Sequence, residues 1–196
     1  MTLEIVQTGH PVLRKVARML SVDEIRSDAT QQLIVQMRDT MRAAPGVGLA
    51  APQIGESIQL AVIEDRVDYL KTAAPEQLAR LNRTPVDFHV IINPQLTLVG
   101  DETADFFEGC LSVEGFAALV RRNLSVRVEC LNERAEPITI DAHGWYARIL
   151  QHEIDHLNGT LYIDRMQTRS FTTMENAEHF SHGRTIDQVN KELNIE

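Results

Sequence analysis

Residues 151–159 read Gln-His-Glu-Ile-Asp-His-Leu-Asn-Gly, and this stretch decides how the rest of the chain is interpreted. Residues four apart lie one above the other on a helix, so His152 and His156 would share one face. Two imidazoles in this arrangement can bind one divalent metal ion. Glu153 would then lie beside the ion, where a general base for a water molecule is needed. The stretch therefore predicts a metal-binding helix.

The apolar pattern around the histidines supports this helix. Trp145, Ile149, His152 and His156 follow spacings of 4, 3 and 4, so both histidines continue a core-facing stripe. Gly159 then suits the C-cap of the helix. A plain core helix with two hydrogen-bonded histidines is the simpler interpretation, but the complete His-Glu-x-x-His pattern favours metal binding.

Composition places the chain among ordinary globular proteins. Its 196 residues suit one domain, with 43% hydrophobic and 24% charged residues. The net charge of −9 argues against tight nucleic-acid binding, and no direct specific nucleic-acid contact is expected. The sequence has no run of 18 apolar residues, and Met1 to Leu20 lacks the apolar core of a signal peptide. We therefore expect a cytoplasmic protein with no membrane partner.

Hydrophobic periodicity predicts both helices and strands along the chain. An apolar stripe that includes Met37 and Met41 predicts a helix over 27–44. Leu124 to Cys130 alternates between apolar and polar residues, which predicts a half-buried strand with Cys130 in the core. Further strands are predicted over 58–63, over 88–92 with its end at Asn93-Pro94, from 138 onward, and over 161–163. Further helices are predicted over 75–81, over 172–180 with a Thr172-x-x-Glu175 capping box, and over 185–193.

The order of these elements predicts an α+β fold. Antiparallel sheets, which include a hairpin of 124–130 with the strand from 138, are expected to pack around the central metal-binding helix. A single domain is predicted to cover 1–196. Within it, 65–87 is predicted to be a surface insertion, and 172–196 a C-terminal extension.

Two further stretches carry residues suited to chemistry. Residues 46–53 read Gly-Val-Gly-Leu-Ala-Ala-Pro-Gln, where glycines admit other atoms close to the backbone and Gln53 requires a buried partner. Residues 108–112 read Glu-Gly-Cys-Leu-Ser. Two cysteines are too few for a disulfide scaffold, so Cys110 is a candidate thiolate ligand.

In this order and spacing, the three stretches resemble the signature motifs of the peptide deformylases. Those enzymes remove the N-formyl group from the initiator methionine of new polypeptides. The resemblance extends from about residue 5 to residue 171. Gly115-Phe116, Gly144-Trp145 and the stretch 163–166 resemble the branch that some bacteria share with eukaryotic organelles.

The resemblance implies a ligand set of Cys110, His152 and His156, with water as the fourth ligand. Three protein ligands leave one position open, which is typical of a catalytic site. The resemblance implies Fe²⁺ as the native ion, while Zn²⁺, Ni²⁺ or Co²⁺ also suit these ligands. Glu108 is implied to pair with Arg122 and to brace the cysteine strand, although a solvated carboxylate is the alternative.

The expected mechanism is hydrolysis of the formyl amide. Metal-bound water attacks the formyl carbon, and Glu153 accepts the proton of the water and delivers it to the departing amine. The resemblance implies that the Gln53 side-chain amide and the Leu111 backbone N–H hold the oxyanion. Formate and a free α-amine are the products.

The expected partners are N-formylmethionyl nascent peptides. Gly46 to Gly48 and the residues after Ser112 are expected to pair with the extended substrate as an added strand. Val47, Trp145 and Ile149 are candidates for the methionine pocket, although Trp145 is equally well interpreted as plain core. A transient contact with the ribosome stays open.

Two alternative functions share the same helix. One is a metalloprotease, since His-Glu-x-x-His occurs there as well. The other is a non-catalytic metal-binding protein with a closed site, which requires a fourth protein ligand such as His143 or Cys130.

Overall fold

The computed structural model describes residues 2–71, 73–181 and 183–195. Its helices are α1 Val22–Arg26, α2 Asp28–Ala43, α3 Val67–Leu70, α4 Pro75–Leu81, α5 Gly144–Leu157, α6 Met174–Ser181 and α7 Ile186–Leu193. Its strands are β1 Gly48–Ala50, β2 Leu60–Asp65, β3 Val86–Leu98, β4 Thr103–Cys110, β5 Val113–Asn123, β6 Ser125–Leu131, β7 Pro137–His143 and β8 Thr172–Thr173. Short 3-10 turns cover Pro11–Arg14, Ala51–Ile54, Tyr162–Asp164 and Thr168–Ser170.

The strands form two antiparallel sheets. The large sheet has five strands in the order β1-β2-β3-β6-β7, and the small sheet has three in the order β4-β5-β8. Helix α5 contacts strands of both sheets. The predicted α+β class, with antiparallel sheets around the helix that carries the two histidines, is therefore confirmed.

The large sheet is covered on both faces, and this explains why β2 is apolar at successive positions. Ala61 and Ile63 face the core that the sheet shares with α5. Leu60 and Val62 face the opposite way, into the core that includes residues of α2. Successive side chains of a strand point to opposite faces, so a strand between two helical layers must be apolar throughout.

Several predicted elements are confirmed. The helix predicted over 27–44 begins at Asp28, and the Ser27 side chain accepts a hydrogen bond from Thr30 N at its N-cap. Strand β6 pairs with β7 as the predicted hairpin, and Cys130 is buried. Helix α4 coincides with the predicted 75–81, and Thr185 forms a capping box at the start of α7.

Asn93-Pro94 does not end a strand, as the sequence had suggested. Strand β3 continues through both residues to Leu98, with a register shift between Ile92 and Gln95. Asn93 adopts a left-handed φ of 52°, and its side-chain amide pairs with the backbone of Leu20. The asparagine and proline therefore mark a β-bulge, which a turn-like dipeptide also fits.

The strand prediction for 161–163 and the helix start at Thr172 were also wrong. Tyr162–Asp164 forms a 3-10 turn, in which the Asp164 side chain accepts a hydrogen bond from Leu161 N. Thr172–Thr173 is strand β8, and α6 begins only at Met174. The edge of β5 offers these threonines backbone partners, so pairing overrides the capping-box pattern.

Gly144, the first residue of α5, is expected to be intolerant of a side chain. It has a left-handed φ of 62°, and an added Cβ would lie 2.7 Å from Cβ of Asn82. We expect Gly144→Ala to lower the free energy of unfolding by about 2–4 kcal/mol, since strain and overpacking add together.

Urea unfolding of Gly100→Ala provides the matched control. Gly100 has a similar φ of 71°, but an added Cβ would meet no atom within 4 Å. In that variant, the free energy of unfolding should therefore fall only by the cost of backbone strain, about 1–2 kcal/mol. Equal losses in the two variants would mean that the contact between Asn82 and Gly144 does not restrict the site.

Candidate metal centre

Helix α5 places His152 and His156 side by side, with 5.0 Å between their ring centroids. Cys110 is the last residue of β4, and its Sγ lies 3.3 Å from Nε2 of His156. One ligand atom from each of the three residues lies within 4.8 Å of the others. The structure thus brings together the three residues predicted as a ligand set, from two elements that are far apart in sequence.

Glu108 orients one of the histidines. Its Oε2 lies 2.9 Å from Nδ1 of His152, so Nδ1–H donates a hydrogen bond to the carboxylate. Nε2 of the same ring is then available to bind a metal ion. Arg122 donates two hydrogen bonds to the same carboxylate, at 2.9 and 3.0 Å, as the resemblance had implied. The Arg148 guanidinium donates a third hydrogen bond to the Glu108 carboxylate, at 2.6 Å. Burial opposes ionisation, but hydrogen bonds from His152 and Arg122 hold the pKa of the Glu108 carboxyl well below its usual range.

The electrostatics of the histidines fit a bound cation. Burial lowers the pKa of His156 well below its ordinary value, so its ring is neutral and can act as a ligand. Burial also opposes charge on His152, but hydrogen bonds to Cys110 and Glu108 raise its pKa well above the ordinary value. The position beside the sulfur and the carboxylate therefore favours positive charge. A divalent ion among thiolate and imidazole donors would supply that charge.

Glu153 is buried beside this group, with only 4% of its surface exposed. Among the described residues, its Oε2 has no hydrogen-bond partner. Burial raises the pKa of the Glu153 carboxyl to about 7. A buried carboxyl with a free oxygen and a pKa near neutrality is suited to accept and return a proton.

Gly48 provides the space for this carboxyl. An added Cβ at Gly48 would lie 2.5 Å from Cδ of Glu153. The sequence had indicated that glycine at this position admits a close neighbour, and the structure identifies that neighbour as the side chain of Glu153.

Gln53 is buried with its amide held in one orientation. Its Oε1 accepts a hydrogen bond of 2.8 Å from Ala50 N, so its Nε2 points the opposite way. Nε2 lies 3.5 Å from Sγ of Cys110 and 3.4 Å from Oγ of Ser112. Leu111, between these two residues, contributes to the same wall of the site. The amide donor therefore faces the cysteine sulfur.

A cavity of about 910 Å³ opens in front of these residues. All of the residues predicted to contact substrate line it, namely Gly46, Val47, Gly48, Trp145 and Ile149. Trp145 is half-buried, and the Arg83 guanidinium lies 5.3 Å from the centroid of its ring. Arg83 lines the cavity and also pairs with the buried carboxylate of Asp65 at 2.7 Å.

Neither Cys130 nor His143, the two residues considered as a fourth ligand, belongs to the group of Cys110, His152 and His156. Cys130 is buried in the core between the large sheet and α5. The His143 side chain is exposed and lies 2.8 Å from Oγ of Ser125. The described residues thus provide three ligands and an open cavity, which does not favour a closed structural site.

Arg148 and Asp155 also belong to the site, although no sequence motif pointed to them. Arg148 lies four residues before His152 on the same helical face, and this spacing was the available signal. Asp155 accepts hydrogen bonds from Arg122 and from Arg165. Arg148 donates directly to the Glu108 carboxylate, whereas Asp155 is connected to it only through Arg122.

Replacing Glu108 by glutamine is expected to weaken metal binding by about 10- to 100-fold, because an amide supports the His152 ring less firmly than a carboxylate. Competition between the variant and a chelator for Zn²⁺ measures the effect. Asp155→Asn is the matched control, since its carboxylate belongs to the same network but binds Arg122 and Arg165. Both variants should lose stability, and only Glu108→Gln should lose metal affinity. Unchanged affinity in Glu108→Gln would contradict the orienting role.

The fold and this site define a mixed α+β protein with a candidate mononuclear metal centre and a buried carboxyl beside it. The chain belongs to the polypeptide deformylase family, whose model matches residues 2–171. It is 49% identical over 175 residues to peptide deformylase 1A, chloroplastic, of Solanum lycopersicum, with 89% of this chain and 63% of that protein covered. It is 44% identical over 179 residues to a peptide deformylase of Bifidobacterium adolescentis, with 91% and 79% covered.

A solved structure shares the fold. It is the Met-Ala-Ser-bound class I type b peptide deformylase of Acinetobacter baumannii, with a TM-score of 0.75 and 31% identity, and the match covers 85% of this chain and 99% of that one. The chain spans less than two thirds of the length of the tomato protein that it matches. In the part of the chain that the structure describes, no helix is long and apolar enough to cross a membrane.

Proposed function

We propose that the protein removes the formyl group from the N-formylmethionine of nascent polypeptides and releases formate. The observation that carries this proposal is the buried Glu153 carboxyl, which lies beside Cys110, His152 and His156 in a member of the polypeptide deformylase family. Ligands, base and cavity lie together, as hydrolysis of an amide requires.

The proposed ligands are Cys110, His152 and His156. When bound, a divalent ion would acidify a water molecule and polarise the formyl carbonyl. Thiolate and imidazole suit Fe²⁺, Zn²⁺, Ni²⁺ and Co²⁺, and the family resemblance favours Fe²⁺ as the native ion.

Glu153 is proposed to take the proton of the attacking water and to deliver it to the departing amine. Its burial beside the three candidate ligands and its free Oε2 among the described residues support both steps. The Gln53 amide, aimed toward the cysteine by its bond with Ala50, is proposed to donate to the developing oxyanion together with the Leu111 N–H.

The substrate is proposed to lie extended along the cavity. Gly46 to Gly48 and the stretch after Ser112 both line it, which supports pairing of a peptide strand with them. Val47, Trp145 and Ile149 supply an apolar surface for the methionine side chain.

We also propose that the domain acts in the cytoplasm; bacterial peptide deformylases are among its relatives, together with chloroplastic and mitochondrial ones. Segment 65–87 is proposed as a surface insertion that borders the cavity, because Arg83 lies against Trp145. Residues 172–196 are proposed as a C-terminal extension, because the family match ends at 171.

Formate release from formyl-Met-Ala-Ser tests the proposed function. The full chain, loaded anaerobically with Fe²⁺, should release formate and leave Met-Ala-Ser intact, and it should leave casein uncut. Cleavage of casein without release of formate would overturn the proposal in favour of a metalloprotease. Absence of both activities would favour a non-catalytic metal-binding protein.

A further inference from the structure

The C-terminal segment, residues 172–181, lies against the candidate active site. Its strand β8 pairs with the edge of β5, where Thr172 is opposite Ala117 and Thr173 is opposite Phe116. This pairing brings Met174, the next residue, to the wall of the cavity. The family match ends at residue 171, so this wall comes from the part of the chain beyond it.

Met174 packs directly on the backbone beside the cysteine. An added Cβ at Gly109 would lie 3.0 Å from Sδ of Met174, and Gly109 immediately precedes Cys110. Gly109 has no left-handed φ, so its local backbone does not require glycine. The absence of a side chain there instead makes room for the methionine sulfur.

Two aromatic contacts fix the segment in this position. Phe171 stacks on Phe116, with 5.1 Å between ring centroids. Phe180, on α6, stacks on Phe107 of β4 at 6.2 Å. The segment is thus attached to the small sheet before and after Met174, which holds the methionine at the cavity.

Phe116, Phe171 and Met174 together form an apolar rim that is exposed to solvent. Phe116, Phe171 and Met174 are 42%, 43% and 43% exposed, and Phe116 and Met174 line the cavity. Contiguous exposed apolar surface beside a binding cavity is typical of a ligand contact. The rim is continuous with the cavity proposed for the formylated peptide, because Phe116 and Met174 belong to both.

We propose that Met174 and Phe116 contact the side chain of the residue that follows formylmethionine, and that they select peptides with an apolar residue at that position. Met174 contacts Gly109, the residue before the candidate ligand Cys110, so its thioether lies close to the proposed reacting centre. The thioether is flexible and polarisable, which suits apolar side chains of several shapes. This inference rests on the proposed function.

The test compares kcat/KM for formyl-Met-Leu-Ser with that for formyl-Met-Ser-Ser, using the full chain loaded with Fe²⁺. The chain should prefer the leucine peptide. Met174→Ala and Met174→Gln should each reduce this preference by about 3- to 10-fold, since one removes the apolar contact and the other makes it polar. Met19→Ala is the matched control: Met19 is 58% exposed and is not among the residues that line the cavity.

The outcomes separate this inference from the proposed function. If the unaltered chain releases no formate from either peptide, the proposed function fails. If it releases formate but both Met174 variants keep the same preference as the Met19 variant, the proposed function stands and the selective role of Met174 is overturned. A reduced preference in both Met174 variants, with the Met19 variant unchanged, supports the inference.

Discussion

Replacing Glu153 by glutamine is expected to lower kcat for formate release by about 100- to 10,000-fold. The amide keeps the volume of the side chain but can neither accept the proton of water nor return it to the amine. The fold should persist, because the change is isosteric and Oε2 of Glu153 has no partner to lose among the described residues. The bound metal should also persist, because the three candidate ligands are unchanged.

Metal content and formate release, measured on the same sample, check this result. Glu56→Gln provides a control that removes an exposed carboxylate elsewhere on the surface and should leave both quantities unchanged. Retention of more than about a tenth of the activity in Glu153→Gln would remove the carboxyl from the proton transfer.

Replacing Gly48 by alanine is expected to lower kcat/KM by about 100-fold, although position 48 carries no reactive group. The new methyl group would overlap the carboxyl of Glu153, so the carboxyl has to move. A displacement of about 1 Å from the reacting geometry can cost a factor of about 100.

A double-variant cycle shows whether the loss acts through Glu153. If it does, Gly48→Ala should have almost no further effect in a chain that already carries Glu153→Gln, since effects on one catalytic group are not additive. Losses that multiply in the double variant would instead indicate that the methyl group blocks the substrate.

The sequence predicted the helical part of the site because that part depends on local geometry. His152 and His156 share a face through their spacing alone, and Glu153 follows from its place between them. Cysteine usage made Cys110 a candidate ligand, but only the resemblance joined it to the two histidines, because a cysteine so far upstream of His152 has no spacing signal. The contact of Gly48 with Glu153 joins a strand to a helix, and no local pattern predicts that distance.

Two of the errors in the fold, at Asn93-Pro94 and at Thr172, have a common cause. Asn93-Pro94 and Thr172 carry correct local signals for a turn and for a helix cap, but backbone pairing with a neighbouring strand overrides both. Strands β4 and β5 also lacked a clear alternating pattern, since part of their inner face holds Glu108 and Arg122. Where buried positions of a strand carry charged residues, the apolar alternation on which strand prediction depends is interrupted.

The three candidate ligands belong to different layers of the molecule. Cys110 lies on the small sheet, while His152 and His156 belong to the helix that packs on the large sheet. A cation held by all three would therefore act as a cross-link between the layers, much as a disulfide joins distant segments of a chain. Residues of both layers also line the cavity, so an ion held by all three ligands would restrain the two layers on either side of the peptide site. Binding of the ion would consequently be coupled to the shape of the groove that receives the peptide.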